Sequence, residues 1–151
     1  MNKKELTQRL DTLETEAAAL RKIIRGTVIE RVKTFKDVCE ELGITVEEAL
    51  PFNEELTMTP DRVAINAFAK VSLIAKALNE GWFPNWDDSS EYKYYPWFNM
   101  TNSSGSGFSR SAFNRSFTHS TVGSRLCFKS SELCEYAVKQ FEDVYKQLFT
   151  L

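Results

Sequence analysis

With 151 residues, 42% of them hydrophobic and 26% charged, the chain is long enough for one globular domain burying roughly 70% of its unfolded surface. No apolar run approaches the ~20 residues needed to cross a bilayer, which excludes a transmembrane helix. The net charge of −2 conceals a division into an acidic body and a basic, aromatic strip.

Met1-Asn2-Lys3-Lys4-Glu5 leads into a charged helix, so no signal peptide is expected. Cys39, Cys127 and Cys134 are odd in number and widely spaced, as in reduced, buried thiols of a cytoplasmic protein.

The first segment has the clearest periodicity. Leu6, Leu10, Leu13, Ala17, Leu20 and Ile24 recur at alternating spacings of four and three, the seam of a coiled coil. Charged residues flank the seam and Gly26 ends it. So narrow a stripe must bury its leucines against something, and a dimer or trimer is expected in preference to packing on the chain's own body. Residues 1–25 are therefore read as an oligomerisation helix and 26–151 as a single α+β domain.

Residues 27–33 are too short and mixed to assign. Thr34 reads as an N-cap with Asp37 three residues on, Phe35, Val38, Cys39 and Leu42 follow at helical spacing, and Gly43 stops the helix. Thr45 caps another turn that Pro51 ends. A DNA-reading helix–turn–helix is disfavoured, because Asp37, Glu40, Glu41, Glu47 and Glu48 would face phosphates. Packing or partner docking suits the pair better. Thr59-Pro60-Asp61 then opens a helix over 60–80, with Val63, Ala67, Phe68, Val71, Ile74, Ala75 and Leu78 as its core face and Gly81 as its end.

Trp82-Phe83-Pro84-Asn85-Trp86 predicts a turn presenting two tryptophans. Tyr92 to Ser131 contains no Asp or Glu, but has nine aromatics, His119 and five basic residues: Lys93, Arg110, Arg115, Arg125 and Lys129. Fourteen Lys and Arg against twenty-one Asp and Glu are left elsewhere. Aromatics favour a strand over 92–98, with Pro96 at an edge or bend, and residues 102–107 read as a flexible loop. Two or three strands fit between Tyr92 and Phe128. Ser130 caps a final amphipathic helix whose stripe is Leu133, Ala137, Phe141, Val144 and Leu148. The fold class is thus α+β: an N-terminal coiled-coil helix, a helical section, a small antiparallel aromatic sheet and a C-terminal amphipathic helix.

Motifs for chemistry are sparse. One His and three scattered Cys offer no metal-binding spacing, so no metal or cofactor is expected. Asp87, Asp88 and Glu91 lack the pattern of a calcium loop. There is no Gly-x-Ser-x-Gly elbow, and Gly105-Ser106-Gly107 lacks the context of a phosphate cradle. A non-enzymatic binding protein is expected.

In the strip, cations interleave with rings as on single-stranded nucleic-acid surfaces, where phosphates are tracked and bases stacked. Arg110, Arg115 and Arg125 are the candidate phosphate contacts, with Trp97, Phe108 and Phe113 as stacking platforms and Lys93 and His119 as further residues of the nucleic-acid- or anion-binding strip. A smaller anion, such as a nucleotide, suits the same composition. Against both stands a structural reading, with Tyr92, Tyr95, Trp97, Phe113, Phe117 and Phe128 as core and the arginines paired to the acidic helices. Two further alternatives are a protein–protein adaptor using the coiled coil and acidic helices, and a small hydrolase around His119.

Residues 60–149, through Ala77-Leu78-Asn79-Glu80-Gly81-Trp82, Glu91-Tyr92-Lys93-Tyr94-Tyr95-Pro96-Trp97-Phe98 and Gly123-Ser124-Arg125-Leu126-Cys127-Phe128-Lys129-Ser130-Ser131-Glu132-Leu133, resemble a group of small uncharacterised phage and prophage proteins from gut bacteria. The resemblance implies an accessory protein of a mobile element in the host cytoplasm, acting on nucleic acid or a host protein. It assigns no activity to any residue.

Overall fold

The computed structural model describes residues 2–100 and 109–150. It has the expected α+β architecture, mostly helical with a two-stranded antiparallel sheet. Three helices open on reciprocal caps, in which a side chain accepts from the first turn while an acid three residues on reaches back. These pairs are Asn2 with Glu5, Thr34 with Asp37 and Thr45 with Glu48; at a fourth start Glu30 accepts from both the amide and the hydroxyl of Thr27. They start α1 (Lys3–Arg25), α2 (Val28–Arg31), α3 (Phe35–Leu42) and α4 (Val46–Ala49). Gly43 closes α3 in the left-handed region at φ +68°, where a Cβ would be strained.

The centre of the body is α5 (Pro60–Leu78), capped by Thr59 with Pro60 in its first turn. Its face of Val71, Ile74, Ala75 and Leu78 is buried against α3 on one side and the C-terminal helices on the other. The main core joins Ile74 and Leu78 to Val32, Val38, Phe128, Ala137 and Phe141. A smaller cluster gathers Val71, Val138 and Tyr145. Asn66, also buried, clamps the segment before α5 by accepting from the Phe52 amide at 3.0 Å and donating to its carbonyl at 2.8 Å.

The sheet is β1 (Lys93–Asn99) paired with β2 (Ser109–Ser116), with an irregularity between Trp97 and Phe98. Among the described residues one bridge stands in place of a third strand, with Tyr94 and Phe128 exchanging backbone hydrogen bonds of 3.0 and 2.7 Å. The expected loop at 102–107 lies outside the described residues. The single C-terminal helix predicted from its stripe is two, α6 (Ser131–Gln140) and α7 (Glu142–Phe149), divided at Phe141 with φ −118° and ψ 32°. The break places Phe141 in the main core and Tyr145 in the smaller one.

In α1 the seam faces away from the body. Leu6, Leu10, Leu13, Leu20 and Ile24 are between 51% and 84% exposed, and Ala17 is half-buried. The chain's own core does not cover them. At its C-terminal end Arg25 pairs with Glu41 of α3 at 2.7 Å. Among the described residues, no helix is long and apolar enough to cross a membrane.

Candidate anion-binding surface

Strand β1 has two faces, and the acid-free strip is divided between them. Tyr94 and Phe98 point toward the helices: Tyr94 packs on the main core, and the Phe98 ring lies 5.4 Å from Tyr145 and 5.3 Å from Phe149. Trp97 points the other way and is 55% exposed. Phe128, in the core reading of the aromatics, is indeed fully buried, whereas Tyr92, Trp97 and Phe117 are exposed. The strip is core on one side and surface on the other.

At the end of the hairpin the cross-strand geometry builds a compact patch. Arg115 sits opposite Tyr94 in the register, and its guanidinium lies 4.6 Å from the centroid of the Tyr92 ring. Tyr92 in turn meets Phe117 edge-on at 5.1 Å. Beside them is a recess of about 370 Å³, lined by Tyr95, Arg115, Phe117 and His119 among others. No carboxylate lines it, and among the described residues none is within ion-pair distance of Arg115. His119 is exposed, with its Nδ1 3.0 Å from the Thr118 hydroxyl.

Other predicted contacts fall elsewhere. Lys93 is buried and spent: its ammonium pairs with Glu91 at 3.2 Å, donates to the Asp88 and Glu91 carbonyls, and lies over the Trp86 ring. It is a strut beneath the 86–91 loop, which corrects its place among the anion-binding residues of the strip. Charge periodicity could not reveal this, since the partners are carbonyls of its own loop. Lys129 is likewise bound to Glu80, at 3.5 Å. Arg125 is exposed but belongs to a second recess of about 820 Å³, with Arg25, Lys76, Trp82 and Phe83. The wall of that recess carries Glu41 and Glu80, so its charge is mixed. Arg110 and Phe113 pair with Phe98 and Pro96 in the backbone register; Phe108 lies outside the described residues.

The turn after α5 also differs from expectation. Both indole N–H groups are used inside the fold, Trp86 donating to Ser124 at 2.8 Å and Trp82 to Glu91 at 3.4 Å. Phe83 between them is the presented ring, 78% exposed. The missed residues are thus Tyr92, which orients Arg115, and Phe83 and Lys76 of the second recess.

Nucleophile chemistry has little to work with among the described residues. All three cysteines are buried, and burial pushes the Cys127 thiol up to about 11 and raises Cys39 as well. No group of three His, Cys, Asp or Glu side chains suited to a metal ion occurs among them. Comparison with known proteins places the chain in no group: no family model, curated protein or solved structure matches it.

Proposed function

We propose that the chain is a non-enzymatic binding protein that engages single-stranded nucleic acid through the hairpin-end patch, and does so as an oligomer. Arg115 would contact phosphate, His119 would add a donor at the rim, and Tyr95, Phe117 and Trp97 would offer ring faces or edges to bases. The observation that carries the reading is the state of Arg115. Its guanidinium is held over an aromatic ring and left accessible, whereas Arg31, Lys93 and Lys129 are each committed to carboxylates. Arg125, in its separate recess, is a secondary contact. The resemblance to phage and prophage proteins suggests the setting, an accessory protein of a mobile element in its host's cytoplasm.

The test is fluorescence anisotropy of a labelled single-stranded oligonucleotide at low and at physiological salt. Binding should weaken as salt rises, with a log–log slope of about 0.7 for each phosphate neutralised. Arg115→Ala should lower affinity and flatten that slope by about one contact per chain, without changing the thermal midpoint. No binding at low salt refutes the reading. A second reading, a protein–protein adaptor, is supported by the uncovered seam of α1. On that reading the oligonucleotide stays unbound while the chain still associates through its seam.

A further inference from the structure

We infer that α1 pairs with α1 of a second copy of this chain, parallel and in register, as a two-stranded coiled coil. The inference rests on the reading of the seam as an interface and specifies the partner and its direction. It starts from the alternating four–three spacing, which places Leu6, Leu13 and Leu20 at d positions and Lys3, Leu10, Ala17 and Ile24 at a positions. The flanking g positions are then Arg9 and Glu16, and the e positions Glu14 and Arg21.

In a parallel pair each g residue faces the e residue five positions on in the other strand. Arg9 therefore meets Glu14, and Glu16 meets Arg21. Both pairs are attractive, and symmetry repeats each of them. In an antiparallel pair g faces g and e faces e. With the seam fully overlapped, Glu16 then meets Glu16 and Glu14 meets Glu14, and both contacts are repulsive. Slipping the antiparallel pair by a heptad removes the repulsion at the expense of the seam. One direction of slip leaves Leu6 and Leu10 without a facing layer; the other strands Ile24 and brings Lys3 opposite Leu20. Only the parallel, in-register arrangement keeps all six apolar layers and pairs Arg9, Glu14, Glu16 and Arg21, at the cost of setting Lys3 beside its own counterpart at the outer end.

The structure leaves these groups available. The seam leucines are more than half exposed, and among the described residues Arg9, Glu14, Glu16 and Arg21 form no ion pair within the chain. Leucine at every d position with β-branched residues at a favours two strands, a condition Ile24 meets and Leu10 and Ala17 do not, and a lysine at an outer a position disfavours slippage. At the C-terminal end the seam adjoins an apolar groove of about 760 Å³ lined by Ala19, Ile23, Val28, Ile29 and Leu133. Parallel pairing brings both copies of this groove to the same end of the coil.

Light scattering on the full chain should give twice the chain mass of 17.3 kDa, and Leu13→Asp should return it to monomer with the body still folded. Direction is read from Lys3→Cys. Under mild oxidation it should cross-link to its own counterpart while the parent chain, with its buried thiols, does not. Antiparallel helices would hold those positions more than about 30 Å apart at 1.5 Å per residue. Glu16→Arg should weaken association by roughly tenfold or more, and adding Arg21→Glu should restore it. A monomer, a trimer, a dimer that survives Leu13→Asp, or a dimer without the Lys3→Cys cross-link would each overturn the inference. None of these measurements involves a nucleic acid, so their failure is separable from failure of the proposed ligand.

Discussion

Tyr145 shows how much a single atom can matter in this fold. The side chain is 1% exposed, between Val71, Val138 and Phe98, and its hydroxyl makes no hydrogen bond among the described residues. Burial, with the Cys134 thiol nearby, pushes the phenol well above its ordinary value of 10. A buried hydroxyl without a partner opposes folding, while the ring around it contributes apolar burial. Tyr145→Phe should therefore leave stability unchanged or raise it by up to about 1 kcal/mol in urea unfolding. A loss of more than about 1 kcal/mol would show that the hydroxyl is bonded after all. The stripe read from the sequence, Leu133, Ala137, Phe141, Val144 and Leu148, leaves Tyr145 out. Its depth follows from the break at Phe141, which a regular 3.6-residue period cannot express.

Among elements, the legible ones are those whose ends are written locally. Thr34 with Asp37, Thr45 with Glu48, and Thr59 before Pro60 are short-range capping signals, and the helices begin where those residues stand. Joints between elements are less legible because their partners are distant in sequence. Asn79, the cap of α5, is 5% exposed; it donates to the Cys127 carbonyl at 2.9 Å and accepts from the Lys129 amide at 3.0 Å. It thereby fixes the segment entering α6 against the end of α5, across some fifty residues of chain. The sequence pattern makes Asn79 only one more residue of the helix over 60–80. Asn79→Ala strips the partners from two backbone groups, and a loss of about 2–4 kcal/mol is expected in urea unfolding, with the denaturant slope unchanged. The candidate site was partly legible for the same reason. Trp97, left open between stacking platform and core, proves exposed on β1, but Lys93 is hidden by a loop folded over it.

At the scale of the molecule, charge does two different jobs. In the strip Arg115 and Arg125 are left exposed, while two carboxylates of the body gather cations at one junction. There Arg31 of α2 bridges Glu41 of α3 at 3.0 Å and Glu80 after α5 at 3.1 Å; Arg25 of α1 joins Glu41, and Lys129 before α6 joins Glu80. Five segments meet at two carboxylates. Burial alone would raise the Glu80 carboxyl, but the hydrogen bond from Arg31 and the Lys129 charge outweigh it and hold it below its ordinary 4.5. A carboxylate depressed in the folded state releases its proton more readily there than in the unfolded chain. Its contribution is therefore complete above about pH 4.5 and lost as pH falls through the lower folded value. Unfolding free energy from urea titrations should decline below that pH. Glu80→Gln should lower stability at neutral pH and make the acid decline shallower, without abolishing it. Asp37 and Glu30, held low chiefly by backbone hydrogen bonds at their caps, continue to titrate in that variant. An acid decline equally steep in Glu80→Gln would place the pH sensitivity in those caps and in Asp88, which Ser90 holds low, and the junction would then hold by packing around Val32, Val38 and Leu78 more than by charge.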